Sequence, residues 1–404
     1  MRWLLKIDAV VIRGLLAAKE IGDMNRARAP GRSARVLGLT LALSVLTLAG
    51  GPFALAHWPD QAAHQFASLG EFKLEGGGVI KNLRMSYVTH GKLNAAKDNA
   101  ILFMHGWGLN HHQLDHLIGP GKAFDTDKYF IICTDELGNS QTTFEHSTSP
   151  TNSGLKMKFP VYNVRDKVKA EYKLITEALG IPHLLAVTGY SSGADDSVQF
   201  AVSYPDFMDG IFPLSGGALR GTQGFFFGAL YLSILESCKG WDGGNYDENP
   251  KQCASNALST FIPYFYTREW WDQYIDTPEA YTKWRNQWGE YYLDIQDARD
   301  LYYRMMAAGS GWIGDTPGFN GDLNAVLRSI KAKTLFIYSP RDQFLLPHHI
   351  ETQVKAIPNA RAMAIDSVAG HLIGGNADPQ ANRVLGEAIR EFLLELSARQ
   401  KGKQ

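Results

Sequence analysis

The sequence predicts an α/β fold: a mainly parallel sheet with helices on both faces, interrupted by an aromatic-rich helical insertion. Three observations carry this. Short apolar runs recur along the chain, and loops and helix-period segments separate them, the pattern of strands buried on both faces. One such run, His183 to Thr188 (HLLAVT), leads directly into Gly189-Tyr190-Ser191-Ser192-Gly193 and then into the helix-like Ala194 to Tyr204. Between about Gly217 and Leu327 the alternation stops, and aromatics such as Phe227, Tyr231, Trp241, Phe261, Trp270 and Trp284 crowd the sequence instead.

The chain has 404 residues, 45% of them hydrophobic and 20% charged. That allows one large domain with an insertion. The net charge of −1, with no long run of one sign, argues against a nucleic-acid partner. Near the N-terminus, Arg26, Arg28, Arg32 and Arg35 precede an apolar stretch from Val36 to about Ala49, followed by Gly50-Gly51-Pro52 and Ala54-Leu55-Ala56. Basic region, apolar core and small-residue site are the parts of a secretory signal peptide. Cleavage after Ala56 would make His57 the mature start, and Met24 is an alternative first residue. The apolar run is short for a full span, so no stable membrane anchor is expected after cleavage. The expected location is exported, periplasmic or secreted. The expected organisation is an N-terminal extension and signal at 1–56, a core at 57–216 and 328–404, and a helical lid at 217–327.

In order, Leu83 to Thr89 alternates as a strand, and Ala100 to Met104 (AILFM) is a short apolar strand ending at His105-Gly106-Trp107-Gly108. Lys128 to Thr134 is another. Val164 to Leu179 has helical spacing and stops at Gly180. After the HLLAVT strand come Gly210 to Leu214, Thr334 to Tyr338 and Ala362 to Ile365, and Asn382 to Leu396 closes the chain as an amphipathic helix. Cys133 falls in a strand and is expected to be a buried thiol. Cys238 and Cys253 flank a polar loop, where a disulfide would contribute roughly 3 kcal/mol in the chain-entropy model, provided the protein is exported.

A strand, a tight Gly-x-Ser-x-Gly turn and a helix form a nucleophile elbow. The turn pushes the Ser191 hydroxyl above the sheet, where the helix aims free N–H groups. A serine needs a base to take its proton, and the base needs a carboxylate to orient it. Asp342 follows the TLFIY strand in Ser339-Pro340-Arg341-Asp342, and His371 follows the AMAI strand in Asp366-Ser367-Val368-Ala369-Gly370-His371. Both stand just beyond a strand's C-terminal end, in the order Ser, Asp, His. The alternative for Asp342 is a cap on a helix beginning near Leu346. For the oxyanion hole, the Ser192 N–H and the Trp107 N–H are the expected donors, with Gly106 second. His111, His112, Asp115 and His116 cluster in GLNHHQLDHLIG. His112 and His116, four apart, would share a helical face, but no HExxH-type general base accompanies them. A polar helix at the pocket rim is expected there, with no metal and no cofactor.

With these residues placed, the sequence resembles the α/β-hydrolase superfamily, and within it the homoserine O-acetyltransferase branch. The resemblance is carried by SYVTHGKLN (Ser86 to Asn94), NAILFMHG (Asn99 to Gly106), IGPGKAFDTDKYFIIC (Ile118 to Cys133) and FPVYNVRDKVKAEYKLITEALGI (Phe159 to Ile181). It implies Ser191, Asp342 and His371 as nucleophile, acid and base, and the Trp107 and Ser192 amides as oxyanion donors. Two departures stand out. The acetyltransferases carry a GGSMGG-like elbow, where this chain has Thr188-Gly189-Tyr190-Ser191-Ser192-Gly193-Ala194. They also hold the homoserine carboxylate with an arginine at the start of the lid, and the corresponding Phe225 to Ile234 (FFFGALYLSI) has none. An apolar segment cannot pair a carboxylate, and an acyl-CoA donor is expected only in the cytosol.

The expectation is therefore an exported serine hydrolase cleaving a small carboxylic ester, with an apolar acyl or alcohol group suited to the aromatic lid. The alternatives are an O-acyltransferase of the homoserine O-acetyltransferase type and a non-catalytic binding protein on a hydrolase scaffold.

Overall fold

The computed structural model describes residues 61–139, 146–219, 221–293, 296–375 and 378–402. The expected signal peptide, its cleavage point after Ala56 and the alternative start at Met24 lie outside the described residues. Eight strands form one sheet: β1 (Gln65–Lys73), β2 (Val79–His90), β3 (Ala100–Met104), β4 (Phe130–Thr134), β5 (Leu184–Tyr190), β6 (Met208–Leu214), β7 (Lys333–Tyr338) and β8 (Ala360–Ala364). Their spatial order is β1-β2-β4-β3-β5-β6-β7-β8. β2 runs antiparallel to β1 and to β4, and every pairing from β4 through β8 is parallel.

The strand interiors explain this topology. All five side chains of β3 and all seven of β5 are buried, as parallel strands covered on both faces must be. Successive residues divide between two cores by the two-residue strand period. Leu102, Met104, Ile132 and Val187 join the core that takes Val168, Val198 and Phe200. Ile101, Phe103, Ile131 and Cys133 join the core that takes Leu385, Ile389 and Phe392. The helices concerned are α1 (Val164–Lys173), α2 (Ser192–Ser203) and, at the end of the chain, Pro379–Lys401.

Two local readings change. The helix expected to run from Val164 to Leu179 is α-helical only to Lys173 and continues as a wider turn over Leu174–Ala178 before Gly180. The helix expected around His112 and His116 is absent: only a single tight turn, Asp115–Leu117, forms there. β1 had no counterpart in the sequence reading. Its outward residues are exposed, and bulges break its register with β2, so it lacks a clean alternation.

Between β6 and β7 lie α3 (Gly221–Ser237), α4 (Lys251–Leu258), α5 (Arg268–Tyr274), α6 (Pro278–Leu293), α7 (Ala298–Gly309) and α8 (Leu323–Arg328). They have a core of their own, containing Phe227, Tyr231, Trp241, Phe261, Trp270 and Trp284. Cys238, just past α3, is joined to Cys253 in α4 by a disulfide, and Cys133 is a buried free thiol. A buried ion-pair cluster ties one of these helices, α7, to the segment after β4 and to α1 and α2. Arg304 of α7 donates to Glu136, the second residue after β4, and the Lys167 ammonium of α1 lies 2.5 Å from Glu136 and 2.7 Å from Asp196 of α2. After β7 come α9 (Pro347–Ala356) and finally α10 (Pro379–Lys401). Among the described residues, no helix is long and apolar enough to cross a membrane.

Candidate active site

The sharpest turn in the sheet is at the end of β5. Ser191 has φ 55° and ψ −116°, a left-handed conformation that costs a non-glycine residue about 1–3 kcal/mol. The glycines on either side make it possible. A Cβ on Gly189 would stand 2.1 Å from the Gly193 carbonyl oxygen, and one on Gly193 would stand 2.1 Å from that of Met104. The backbone is locked by Ser191 N–H donating to the Leu214 carbonyl at 2.9 Å. α2 begins at the next residue, so its unpaired amides open beside the hydroxyl.

β7 and β8 deliver the other two residues. The Ser191 hydroxyl lies 2.9 Å from His371 Nε2, and His371 Nδ1 lies 2.7 Å from Asp342 Oδ2. The other Asp342 oxygen accepts the backbone N–H groups of Phe344 and Leu345 at 2.8 and 2.9 Å. The carboxylate is thereby held by its own loop and turned toward the imidazole. Asp342 and His371 are 4% and 2% exposed. The three residues singled out in the sequence thus come together as one hydrogen-bonded chain. Asp342 does not cap α9, because Leu346 holds that position and makes no side-chain cap.

The loop after β3 lies against the nucleophile: a Cβ on Gly106 would be 3.5 Å from that of Ser191. The Gly106 N–H donates to Gln113 Oε1 at 2.7 Å. No acceptor for the Trp107 or Ser192 backbone N–H is found among the described residues. His105, buried behind this loop, is pushed down to about 4 by burial and is therefore a neutral imidazole at pH 7.

Sequence reasoning missed the residues that hold His371. Tyr190 Oη donates to the His371 carbonyl oxygen. Phe265 stacks on the His371 ring at 5.4 Å and accepts its backbone N–H at 2.8 Å, and Phe344 meets the same ring edge-on at 5.1 Å. Thr267 Oγ1 donates to the Val368 carbonyl at 2.8 Å. Phe344 stands two residues from Asp342, which was a usable signal. Phe265 and Thr267 lie in the helical insertion, and nothing in the local sequence links them to His371. The insertion's aromatics divide into two groups. Trp241, Trp270 and Trp284 lie wholly within its own core, whereas Phe227 and Phe261 of that core, with Phe265 at its edge, also pack against Phe344, itself in contact with His371.

His112 and His116 are not partners. His116 Nε2 faces Asn382 at 3.4 Å, and His112 Nδ1 pairs with Asp115 at 2.7 Å. His111 and His112 gather instead with His64, a residue just before β1.

Known proteins match the fold. Residues 99–375 match the family model described as the alpha/beta hydrolase fold. The homoserine O-acetyltransferase of Symbiobacterium thermophilum is 30% identical over 362 residues, covering 80% of this chain and 92% of that one. A probable esterase of Corynebacterium glutamicum is 29% identical, covering 81% and 96%. The homoserine O-acetyltransferase of Methanococcoides burtonii is 29% identical over 71% of this chain, and the match spans only 64% of that enzyme's length. Among solved structures, an acetylester hydrolase from Corynebacterium glutamicum superposes with a TM-score of 0.75 at 26% identity, covering 82% of this chain and 96% of that one. The chain belongs to the α/β-hydrolase family, in the branch that holds homoserine O-acetyltransferases and similar esterases.

Proposed function

We propose that the protein is an exported serine hydrolase that cleaves a small carboxylic ester with an apolar acyl or alcohol group. The observation that carries this is the Ser191–His371–Asp342 hydrogen-bonded chain at the ends of β5, β8 and β7. Ser191 attacks the ester carbonyl while His371 Nε2 takes its proton. Asp342 fixes the tautomer and stabilises the imidazolium. His371 then returns the proton to the departing alcohol, leaving an acyl-serine. Water, deprotonated by the same imidazole, attacks that acyl group and releases the acid. The Ser192 and Trp107 amides receive the oxyanion in both halves. Gly106 is displaced as a donor because its N–H is already spent on Gln113.

Water as the acceptor is supported by the aromatic surroundings. Phe225 to Ile234 offers no cation, and the buried Arg304 is already paired with Glu136. The solved acetylester hydrolase makes short acyl groups the first to test. The Cys238–Cys253 disulfide supports an oxidising compartment, in keeping with the signal-like residues before Ala56. The helices between β6 and β7 act as the lid.

Purified protein should hydrolyse p-nitrophenyl acyl esters and be labelled by a fluorophosphonate probe, and Ser191→Ala should abolish both. A wild-type protein that labels with neither would return it to a binding role. The second reading, acyl transfer to homoserine, is favoured by the acetyltransferase relatives. Homoserine-dependent release of CoA from acetyl-CoA would establish it in place of hydrolysis. Export is overturned if the mature N-terminus of the protein, read by mass spectrometry, retains residues 36–56.

A further inference from the structure

A second cluster of chemistry-bearing side chains has no part in this mechanism. It is built from three separate stretches: His64 just before β1, His111 and His112 in the loop after β3, and Asp135 with His146 in the loop after β4. One ligand atom from each of His64, His111 and His112 lies within 4.8 Å of the other two, and the same holds for His111, Asp135 and His146. His111 and His146 are fully buried, Asp135 likewise, and His112 is 9% exposed.

The carboxylates orient these rings. His111 Nδ1 lies 2.9 Å from one Asp135 oxygen, and His146 Nδ1 binds the other. His112 Nδ1 lies 2.7 Å from Asp115. At His112 and His146 the carboxylate hydrogen-bonded to Nδ1 fixes that nitrogen as the N–H and turns the Nε2 lone pair outward, the usual orienting device of histidine metal sites. His111 Nε2 meets His64 Nε2 at 2.7 Å, two ring nitrogens facing one another with room for only one proton between them. The His146 ring stands 5.3 Å from that of His64, and its Nε2 is buried with no hydrogen-bond partner.

We infer that His64, His111 and His112 form a binding site for one divalent transition metal, zinc being the expected ion, with Asp135 and Asp115 as orienting carboxylates. Three imidazoles suit zinc and exclude calcium and magnesium, which take oxygen ligands. Zinc–nitrogen bonds of about 2.0–2.1 Å need nitrogens roughly 3.3 Å apart. The His64–His111 pair, at 2.7 Å, opens slightly, and every other spacing, being within 4.8 Å, closes by at most about 1.5 Å. The fourth position is left to water or to His146 Nε2. The site would join the segment ahead of β1 to the loop that also carries Trp107. It would act as a positioning device and take no part in the bond-breaking steps.

The full chain, stripped with chelator and dialysed, should take up about one equivalent of zinc by elemental analysis. Cobalt(II) in its place should give the intense visible absorption of a tetrahedral nitrogen-ligated ion, and the thermal midpoint should rise with zinc but not with magnesium or calcium. His64, partly exposed, is the first residue to change, because His64→Ala spares the interior. Uptake should fall at least tenfold in His64→Ala and remain at one equivalent in His116→Ala. A wild type binding under about a tenth of an equivalent overturns the proposal. So does a His64→Ala protein that keeps full stoichiometry and the cobalt spectrum.

Discussion

The strand ends and the helical insertion meet at His371 but are satisfied in different ways. On the strand side, register and turn geometry account for each catalytic-candidate atom: both Asp342 oxygens and both His371 ring nitrogens have partners. On the insertion side, the surroundings are aromatic and polar atoms are left over. Tyr231 Oη, one Arg304 nitrogen and, facing them from the loop after β3, the Trp107 indole nitrogen are buried with no hydrogen-bond partner. An unsatisfied buried donor costs about 1–3 kcal/mol, and natural interiors carry few of them. The geometry of Ser191, His371 and Asp342 is set by the sheet, and the insertion supplies the aromatic rings around it.

The largest effect expected is on the strand side. Asp342→Asn should lower kcat by about 10⁴-fold through the wrong histidine tautomer, with an unchanged thermal midpoint. A loss below about tenfold would remove Asp342 from the catalytic chain. The join between the regions comes next. Arg304→Met leaves Glu136 with only Lys167, and should cost about 3 kcal/mol in denaturant unfolding. Less than about 1 kcal/mol would mean that the pair contributes little to holding α7.

Acid separates the regions more gently. His105, His111 and His116 are all pushed below the ordinary histidine range, burial being the main cause in each. Below pH 6.5 the unfolded chain takes up these protons and the folded one does not, so stability falls as pH drops. For His105 the fall continues to about 4. His105 contributes about 1.4 kcal/mol per pH unit in that window. Glu136, which burial alone would raise, is held at about 2 by Arg304 and Lys167, and its contribution is lost below its unfolded value near 4.5. Urea midpoints of metal-free protein at pH 7.5, 6 and 5 measure this, and a flat profile would contradict it. The smallest effect expected is at the contact itself. Phe265→Ala removes the ring stacked on His371, and should lower kcat about tenfold with little change in KM. An altered KM alone would make Phe265 a substrate contact instead.

The sequence makes the two regions legible to different degrees. β3 was readable to the residue because its five side chains are all buried and apolar, and Ser191, Asp342 and His371 were readable because strand ends fix where they stand. β1 was hidden by its exposed face and bulges. The Arg304–Glu136 and Lys167–Asp196 pairs were also hidden, since partners far apart in sequence leave no local periodicity. Within the insertion the sequence showed that the aromatics would cluster, but it could not tell Phe265 from Trp270. Only the fold decides which ring reaches His371. The histidines after β3 were visible as a group, yet their partners were misread, because an i,i+4 argument applies only where a helix exists.

Tyr190 couples the elbow to the loop that carries His371. Its hydroxyl donates to the carbonyl of His371, and its ring lies so close to Gly374 that a Cβ there would stand 2.7 Å from it. Positions 190 and 374 are therefore epistatic. With tyrosine in the elbow, even alanine at 374 collides with the ring, whereas a glycine-type elbow leaves 374 unconstrained. Reverting Tyr190 would make 374 newly permissive while loosening the loop that carries the base.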